Sequence, residues 1–137
     1  MSVIQSKRNI AESEYITTMR ELHRYTFEKC RKFPKSQTFY YGESIRKAAD
    51  ALMIAVLGAD SVKITNRHEA QRRIDYISNA FSACDMLDSL VETAKKPCTI
   101  PVKHIQRWGA LIGREESLLS GQMEFCKKKL REFSKQQ

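Results

Sequence analysis

The chain has 137 residues, and its 42% apolar and 29% charged side chains are typical of one folded domain rather than a disordered segment. It contains no run of about 18 apolar residues and no apolar block near its start, so we expect neither a membrane span nor a secretory signal, and predict a cytoplasmic protein. The net charge of +8 suggests RNA or DNA as a partner, although solubility alone also accounts for such a charge.

Turn-forming residues are scarce, with five glycines and three prolines, which favours long helices over an all-β domain. After a flexible N-terminal segment over residues 1–12, the first helix is predicted from about Ser13 to Lys32. Its apolar residues recur every three or four positions. The Phe33-Pro34 pair ends it, because a residue before proline avoids the helical conformation.

The second predicted helix begins between Thr38 and Glu43 and ends near Gly58. Its many alanines predict the most buried of the helices. The third helix opens at Thr65 or Asn66, and Asn66 followed three residues later by glutamate resembles a capping box.

The third helix keeps its apolar period for about seven turns and is ended by Pro97. The fourth is predicted from about residues 99–101 onward, with a kink or break expected at Gly113 or at residues 120–122. Four such helices with short connections predict an all-α, up-down-up-down four-helix bundle over residues 13–133, followed by a tail over 134–137.

Residue patterns typical of catalysis or metal binding are missing from the sequence. None of His23, His68 and His104 has a carboxylate or a second histidine four positions later, and no nucleotide-binding glycine motif occurs. The cysteines have no zinc-site spacing, and we expect them to be free residues of the core: Cys30, Cys84, Cys98 and Cys126. We therefore predict a protein that is not an enzyme and that has neither a cofactor nor a metal.

Basic residues form two matching helical stripes. Positions 20, 24 and 31 share one face of the first helix, and positions 103, 107 and 114 repeat this spacing on the fourth. A surface of this kind contacts phosphates without reading base sequence. The alternative is an ordinary solvated face, with carboxylates at positions 21, 28, 115 and 116 between the cations. The predicted nucleic-acid-binding residues are Arg20, Arg24, Arg31, Arg46, Lys47, Arg72, Arg73, Lys103, Arg107 and Arg114.

Three consecutive aromatic residues precede the second helix. We expect Phe39 to pack against a neighbouring helix, as aromatic residues at helix starts often do. Tyr40 and Tyr41 have two alternative roles. They either pack against a neighbouring helix or lie at an interface, because single-strand binders stack bases on exposed aromatic rings.

The stretch FPKSQTFYYGESIRKAADALMIAVLGA, residues 33–59, resembles the junction between the first two helices in a family of small four-helix-bundle proteins. That family includes the accessory variability determinant (Avd) proteins of diversity-generating retroelements and the proteins encoded in ribosomal-RNA intervening sequences. The segments RRIDYISNAFSACDMLDSLVETAKK and HIQRWGALIGREESLLSGQMEFCKK resemble the third and fourth helices of the family. The resemblance covers about residues 14–130.

The chain departs from the family pattern in two places, and the first of them separates its branches. Intervening-sequence proteins carry a segment like SIPSNIAEG in the second helix, whereas this chain has DALMIAVLGADS, which favours the Avd branch. Avd proteins often carry Gly-Gly-Trp late in the fourth helix, whereas this chain has Gly121 alone and its tryptophan at position 108.

The resemblance implies a homopentamer with a basic outer surface that binds nucleic acid and a reverse transcriptase. It implies an accessory role, without polymerase residues, in cDNA synthesis with adenine mutagenesis. The alternatives are an intervening-sequence-type protein with ribosomal RNA as its partner, and a protein assembly module without nucleic acid.

Overall fold

The fold is given by a computed structural model that describes the backbone of residues 3–136 and the side chains of residues 14–136. Within this part the chain is helical and contains no strand. In order, its helices are α1 (Val3–Cys30), α2 (Lys35–Gln37), a π-helical turn (Thr38–Gly42), α3 (Glu43–Ser61), α4 (Arg67–Ala94) and α5 (Val102–Lys135). The four long helices α1, α3, α4 and α5 correspond to the four predicted helices, which confirms the all-α class.

The first helix is longer than predicted at its N-terminal end. Helical backbone begins at Val3 and therefore includes most of the segment predicted to be flexible. Residues 1 and 2 and the side chains of residues 3–13 lie outside the described part, so the flexibility of this segment stays a prediction. The helix ends at Cys30, shortly before Pro34, as expected from the restricted backbone of the residue before a proline.

The ends of α4 follow local sequence signals. The Asn66 side chain accepts a hydrogen bond from the Glu69 backbone N–H at 2.9 Å, which confirms the predicted N-cap. Beyond the C-terminal end, Thr99 adopts a positive φ of 51°, and the N–H of Ile100 donates to the carbonyl of Lys95 at 3.0 Å. This left-handed residue followed by a long backward hydrogen bond is a Schellman-type ending, and it turns the chain towards α5.

The predicted break in the fourth helix is wrong, because α5 is a single helix through Gly113 and through residues 120–122. Glycine in a helix interior costs about 1 kcal/mol relative to alanine, which is small beside the burial of neighbouring side chains. Leu111, Ile112 and Leu119 flank these glycines and are all buried. Tertiary packing therefore keeps α5 helical at Gly113 and at residues 120–122.

The core is built from the predicted apolar stripes of all four long helices. Helix α1 contacts α3 and α5, and α4 contacts the same two helices. The largest fully buried side chains include Met19, Leu22, Leu52, Ile77, Leu87, Trp108 and Leu119. All four cysteines are free and buried, as predicted. Among the described residues, no helix is long and apolar enough to cross a membrane.

Candidate nucleic-acid interface

The predicted basic residues fall into three groups according to exposure. Most have exposed side chains, and Arg46 is half-buried. The exposed residues are Arg20, Arg24, Arg31, Lys47, Arg72, Lys103, Arg107 and Arg114. Arg73 is buried, with 8% of its surface accessible, and it does not lie on the outer surface as predicted.

Three of the exposed cations are paired with carboxylates. Lys47 lies 3.3 Å from Glu43, and Arg72 lies 2.9 Å from Glu69, each one turn away on the same helix. Arg107 of α5 reaches across to Glu21 of α1 at 2.5 Å. These pairs reduce the local positive field, so the three residues are weaker candidates for phosphate contacts than unpaired cations.

The remaining exposed cations have no carboxylate within 4.0 Å among the described side chains: Arg20, Arg24, Arg31, Lys103 and Arg114. They include two members of the stripe on α5 and the whole stripe on α1. Their guanidinium and ammonium groups are therefore free to meet phosphates.

Arg73 was predicted to contact nucleic acid at the surface, but its side chain lies inside the protein. Its guanidinium donates to the Ala59 carbonyl at 3.0 Å, to Cys126 Sγ at 3.1 Å, to the Tyr15 hydroxyl at 3.1 Å and to Gln122 Oε1 at 2.7 Å. It thus joins α4 to each of the other three long helices. The physical reason is that a guanidinium can be buried when most of its donors find acceptors.

A concentration of positive charge lies where the last turn of α1 meets the first turn of α5. We call Lys29, Lys32, Lys103 and His104 the basic cluster. Partial burial and the charges of Lys32 and Lys103 lower the pKa of Lys29, while Glu28 raises it. Burial also lowers the pKa of His104, and the charges of Lys29, Lys103 and Lys32 lower it further. Burial is the larger cause of both shifts, and the charges of the neighbouring lysines add to it, so Lys29, Lys32 and Lys103 lie close enough to act on one another while His104 is neutral near pH 7.

Tyr25 holds the two helix ends of the basic cluster together. Its hydroxyl donates to the His104 backbone carbonyl at 3.5 Å, and its ring packs edge-on to Trp108 with centroids 5.4 Å apart. The Lys29 ammonium lies 5.1 Å from the centroid of the same ring, a cation–π distance. Helix packing therefore fixes the junction of the two helix ends and the position of Lys29 beside it.

Of this cluster, only Lys103 is among the residues predicted from the sequence. Stripes along single helices do not reveal Lys29 and Lys32, because these residues belong to one helix end and meet α5 only through tertiary packing. A signal existed in the sequence: five cations, at positions 24, 29, 31, 32 and 35, lie close to the predicted helix end, against one carboxylate at position 28.

The aromatic residues before α3 lie in the π-helical turn Thr38–Gly42. Phe39 and Tyr40 are 72% and 70% exposed and contact each other edge to face, with centroids 5.6 Å apart. The predicted packing of Phe39 is therefore wrong, while Tyr41 is partly buried against the core. The turn bonds to the segment that follows α1, since the Thr38 hydroxyl lies 3.1 Å from the Pro34 carbonyl and 3.4 Å from the Phe33 carbonyl and donates to this pair. Two exposed rings thus follow shortly after Lys29 and Lys32 in the chain.

Negative charge gathers elsewhere on the molecule. Partial burial raises the pKa of Glu116 on α5, and the carboxylates of Asp85 and Asp88 on α4 raise it further. This acidic surface would repel a nucleic acid, so the charges of the molecule favour an approach from the α1–α5 side.

The histidines and acids do not gather into a metal site: within residues 14–136, no group of three or more His, Cys, Asp or Glu side chains is placed to hold an ion. His23 instead contacts Asp50 at 2.8 Å between its Nε2 and the Oδ1 of the carboxylate. Its ring stacks on Phe27 with centroids 4.4 Å apart. Comparison with protein-family models, with curated proteins and with solved structures finds no match to this chain.

Proposed function

We propose that this chain is a non-enzymatic accessory protein that binds nucleic acid through the basic cluster and the unpaired arginines of α1 and α5. The single observation that carries the proposal is the basic cluster, in which three lysines lie together with His104 at a helix junction and act on one another's charge. Phosphates would neutralise these groups, and binding would be largely independent of base sequence. The exposed rings of Phe39 and Tyr40 would add stacking with unpaired bases.

The helices are proposed to form an up-down-up-down four-helix bundle. Contacts between α1 and α3 support an antiparallel pair: Tyr15 bonds to Asp60, and His23, further along α1, bonds to Asp50, earlier in α3. The bond from Arg73, near the start of α4, to Gln122, late in α5, supports a second antiparallel pair. This arrangement brings the end of α1 and the start of α5 to one end of the bundle, where the basic cluster lies.

The proposed biological setting is a retroelement, in which the protein would associate with a reverse transcriptase and its template RNA and support mutagenic cDNA synthesis. This part rests on the resemblance of residues 33–59 and of the third and fourth helices to Avd proteins. A homopentamer and a cytoplasmic location belong to the same proposal. The free cations of α1 and α5 are consistent with a role in holding template RNA or cDNA near the polymerase.

A protein assembly module is the second candidate, and exposed apolar side chains favour it. Ile54 and Leu57 are neighbours on α3 and are 70% and 37% exposed, and Met86 on α4 is 56% exposed. Such residues are common in contacts between subunits. Light scattering combined with an RNA titration separates the two candidates, because a pure assembly module would oligomerise without retaining RNA.

The test of nucleic-acid binding is a variant that reverses the charge of Arg20, Arg24 and Arg31 to Glu. We expect the variant to keep its helicity by circular dichroism and to lose RNA retention, and we expect wild-type affinity to fall steeply as salt rises. Unchanged retention at about 150 mM salt would remove these three arginines from the interface. Copurification with a reverse transcriptase encoded beside this gene tests the retroelement setting separately.

A further inference from the structure

A pocket of about 580 Å³ opens between the connection from α3 to α4 and the C-terminal half of α5. Val62 and Ile64 of the connection and Phe125 of α5 give it apolar walls. This volume lies within the range of about 300–1,000 Å³ that is usual for small-molecule sites, which combine apolar walls with a few placed polar groups. The basic cluster is not part of it.

Arg73 forms the buried polar wall of this pocket. Its Nε and Nη atoms make four hydrogen bonds, whose acceptors are a carbonyl, a thiol, a hydroxyl and a side-chain amide. None of these acceptors is a carboxylate, and burial raises the pKa of the Tyr15 phenol, which keeps that hydroxyl neutral. A guanidinium has five donor hydrogens, so one hydrogen on Nη1 is left over. A buried cation whose partners are all neutral is a favourable place for an anion.

The charges of the pocket residues set the charge of the ligand. Arg73 and Lys129 are positive, and the only carboxylate among the described pocket residues is Asp60, which accepts from the Tyr15 hydroxyl at 3.3 Å. Over the described pocket residues the sum is one positive charge, which matches a monoanion. The Lys129 ammonium also lies 3.6 Å from Glu132, but both side chains are exposed and solvent weakens this pair.

The polar and apolar parts of the pocket are arranged for an amphipathic ligand. Lys129 extends over the Phe125 ring at 5.7 Å from its centroid, so a cation lies directly beside the apolar wall. Gln122, also in the pocket wall, is fixed by its 2.7 Å bond from Arg73. An anionic head could meet Arg73 and Lys129 while an apolar tail covers Val62, Ile64 and Phe125.

We propose that this pocket binds a small monocarboxylate with an apolar tail, with Arg73 and Lys129 facing the carboxylate and Phe125 covering the tail. The site is separate from the nucleic-acid interface and does not depend on the proposed function. A dianionic phosphate without a tail fits less well, because it exceeds the net charge of the pocket and leaves the apolar walls uncovered.

Isothermal titration of the full-length protein with octanoate tests this proposal. Octanol has the same tail without the charge, and inorganic phosphate has charge without the tail, so both are matched probes. We expect one octanoate per chain and affinities at least about tenfold weaker for octanol and phosphate, equivalent to about 1.4 kcal/mol.

Substitutions at the pocket rim keep the test independent of folding, because Arg73 joins several helices and its replacement would disturb the core. Lys129→Gln and Phe125→Ala are expected to weaken octanoate binding about five- to tenfold each. Lys128→Gln, an exposed neighbour outside the pocket, is expected to leave it unchanged. The proposal is overturned if the folded wild type shows no saturable octanoate binding, if octanol binds as tightly as octanoate, or if both rim variants bind as the wild type does.

Discussion

Trp108 of α5 donates its indole N–H to the Thr26 hydroxyl of α1 at 2.9 Å, and both side chains are almost completely buried. The Thr26 hydroxyl donates in turn to the Leu22 carbonyl at 2.8 Å, so the indole and its partner are satisfied inside the core. This bond fixes the register of α1 against α5 and thereby the junction on which the basic cluster is built.

Replacing Thr26 by Val should therefore destabilise the fold. Valine keeps the shape but leaves the indole N–H of Trp108 without its acceptor, at a cost of about 1–3 kcal/mol in the free energy of unfolding measured with urea. Thr93→Val is the matched control, since the Thr93 hydroxyl bonds only within its own exposed helix turn and should change stability by less than about 0.5 kcal/mol. Equal costs for the two substitutions would contradict the assigned role of the bond.

Two glycines should respond to alanine in opposite directions. A Cβ added at Gly58 on α3 would lie 2.5 Å from the Tyr76 ring, whereas one added at Gly113 on α5 would have no neighbour within 4 Å. We expect Gly113→Ala to stabilise the protein by about 0.5–1 kcal/mol through helix propensity. Gly58→Ala should destabilise it by about 1–2 kcal/mol, because the ring must move. Thermal unfolding of both variants checks the contrast. Higher stability of both variants than of the wild type would show that α3 and α4 are packed less closely at Gly58 than the structure indicates.

Adjacent arginines on α4 should differ strongly in their effect on stability. Arg73→Met removes four hydrogen bonds and leaves the Gln122 side chain and the Ala59 carbonyl without their partner, which we expect to cost about 2–4 kcal/mol. Arg72→Met breaks only an exposed pair with Glu69 and should cost less than about 1 kcal/mol. Urea unfolding of the two variants measures the difference. If the two costs were equal, Arg73 would not be the buried connection described above.

Glu115 predicts a pH-dependent stability. Its side chain is completely buried on α5, neither carboxylate oxygen has a hydrogen-bond partner within the described residues, and burial raises its pKa to about 8. The folded-state pKa of Glu115 lies above its unfolded value. The protonated Glu115 carboxyl therefore contributes its full stability to the fold below about pH 4.5, and this contribution is lost as pH rises towards 8. The free energy of unfolding should fall by up to about 1.4 kcal/mol per pH unit in this window.

Glu115→Gln isolates this titration, since the amide has nearly the same shape and no charge. The stability difference between wild type and variant should shift in favour of the variant between pH 5 and 8, in urea unfolding at several pH values. Glu124→Gln replaces an exposed carboxylate on the same helix and serves as the control. A wild type and Glu115→Gln variant with parallel pH profiles would show that Glu115 is solvated rather than buried.

The sequence predicted those features that depend on one helix at a time. The Asn66 cap, the apolar stripes and the buried cysteines all follow from local spacing, and all are confirmed. Arg73 and Glu115 were misplaced because charged residues were assigned to the surface by type. Both lie in register with apolar neighbours, Arg73 between Ala70 and Ile77 and Glu115 between Ile112 and Leu119, so periodicity indicated their burial.

Features that depend on how helices meet could not be predicted in this way. The basic cluster combines the end of α1 with the start of α5, and single-helix stripes do not contain that information. Likewise, the exposure of Phe39 follows from the π-helical turn, whose wider spacing of residues changes which side chains face the core. Local rules gave no reason to expect a π-helical turn there.

The most direct test of the central claim compares two triple variants in their affinity for a short single-stranded RNA, measured by fluorescence anisotropy over a salt series. The first variant replaces Lys29, Lys32 and Lys103 by Gln. The second removes the same charge from exposed lysines outside the cluster: Lys63, Lys127 and Lys128.

We expect the cluster variant to lose at least about tenfold in affinity and to lower the salt slope by about two to three, and the control variant to stay within about twofold of wild type. Equal affinities for the two variants, or no measurable RNA binding by the wild type at about 150 mM salt, would contradict the proposed interface.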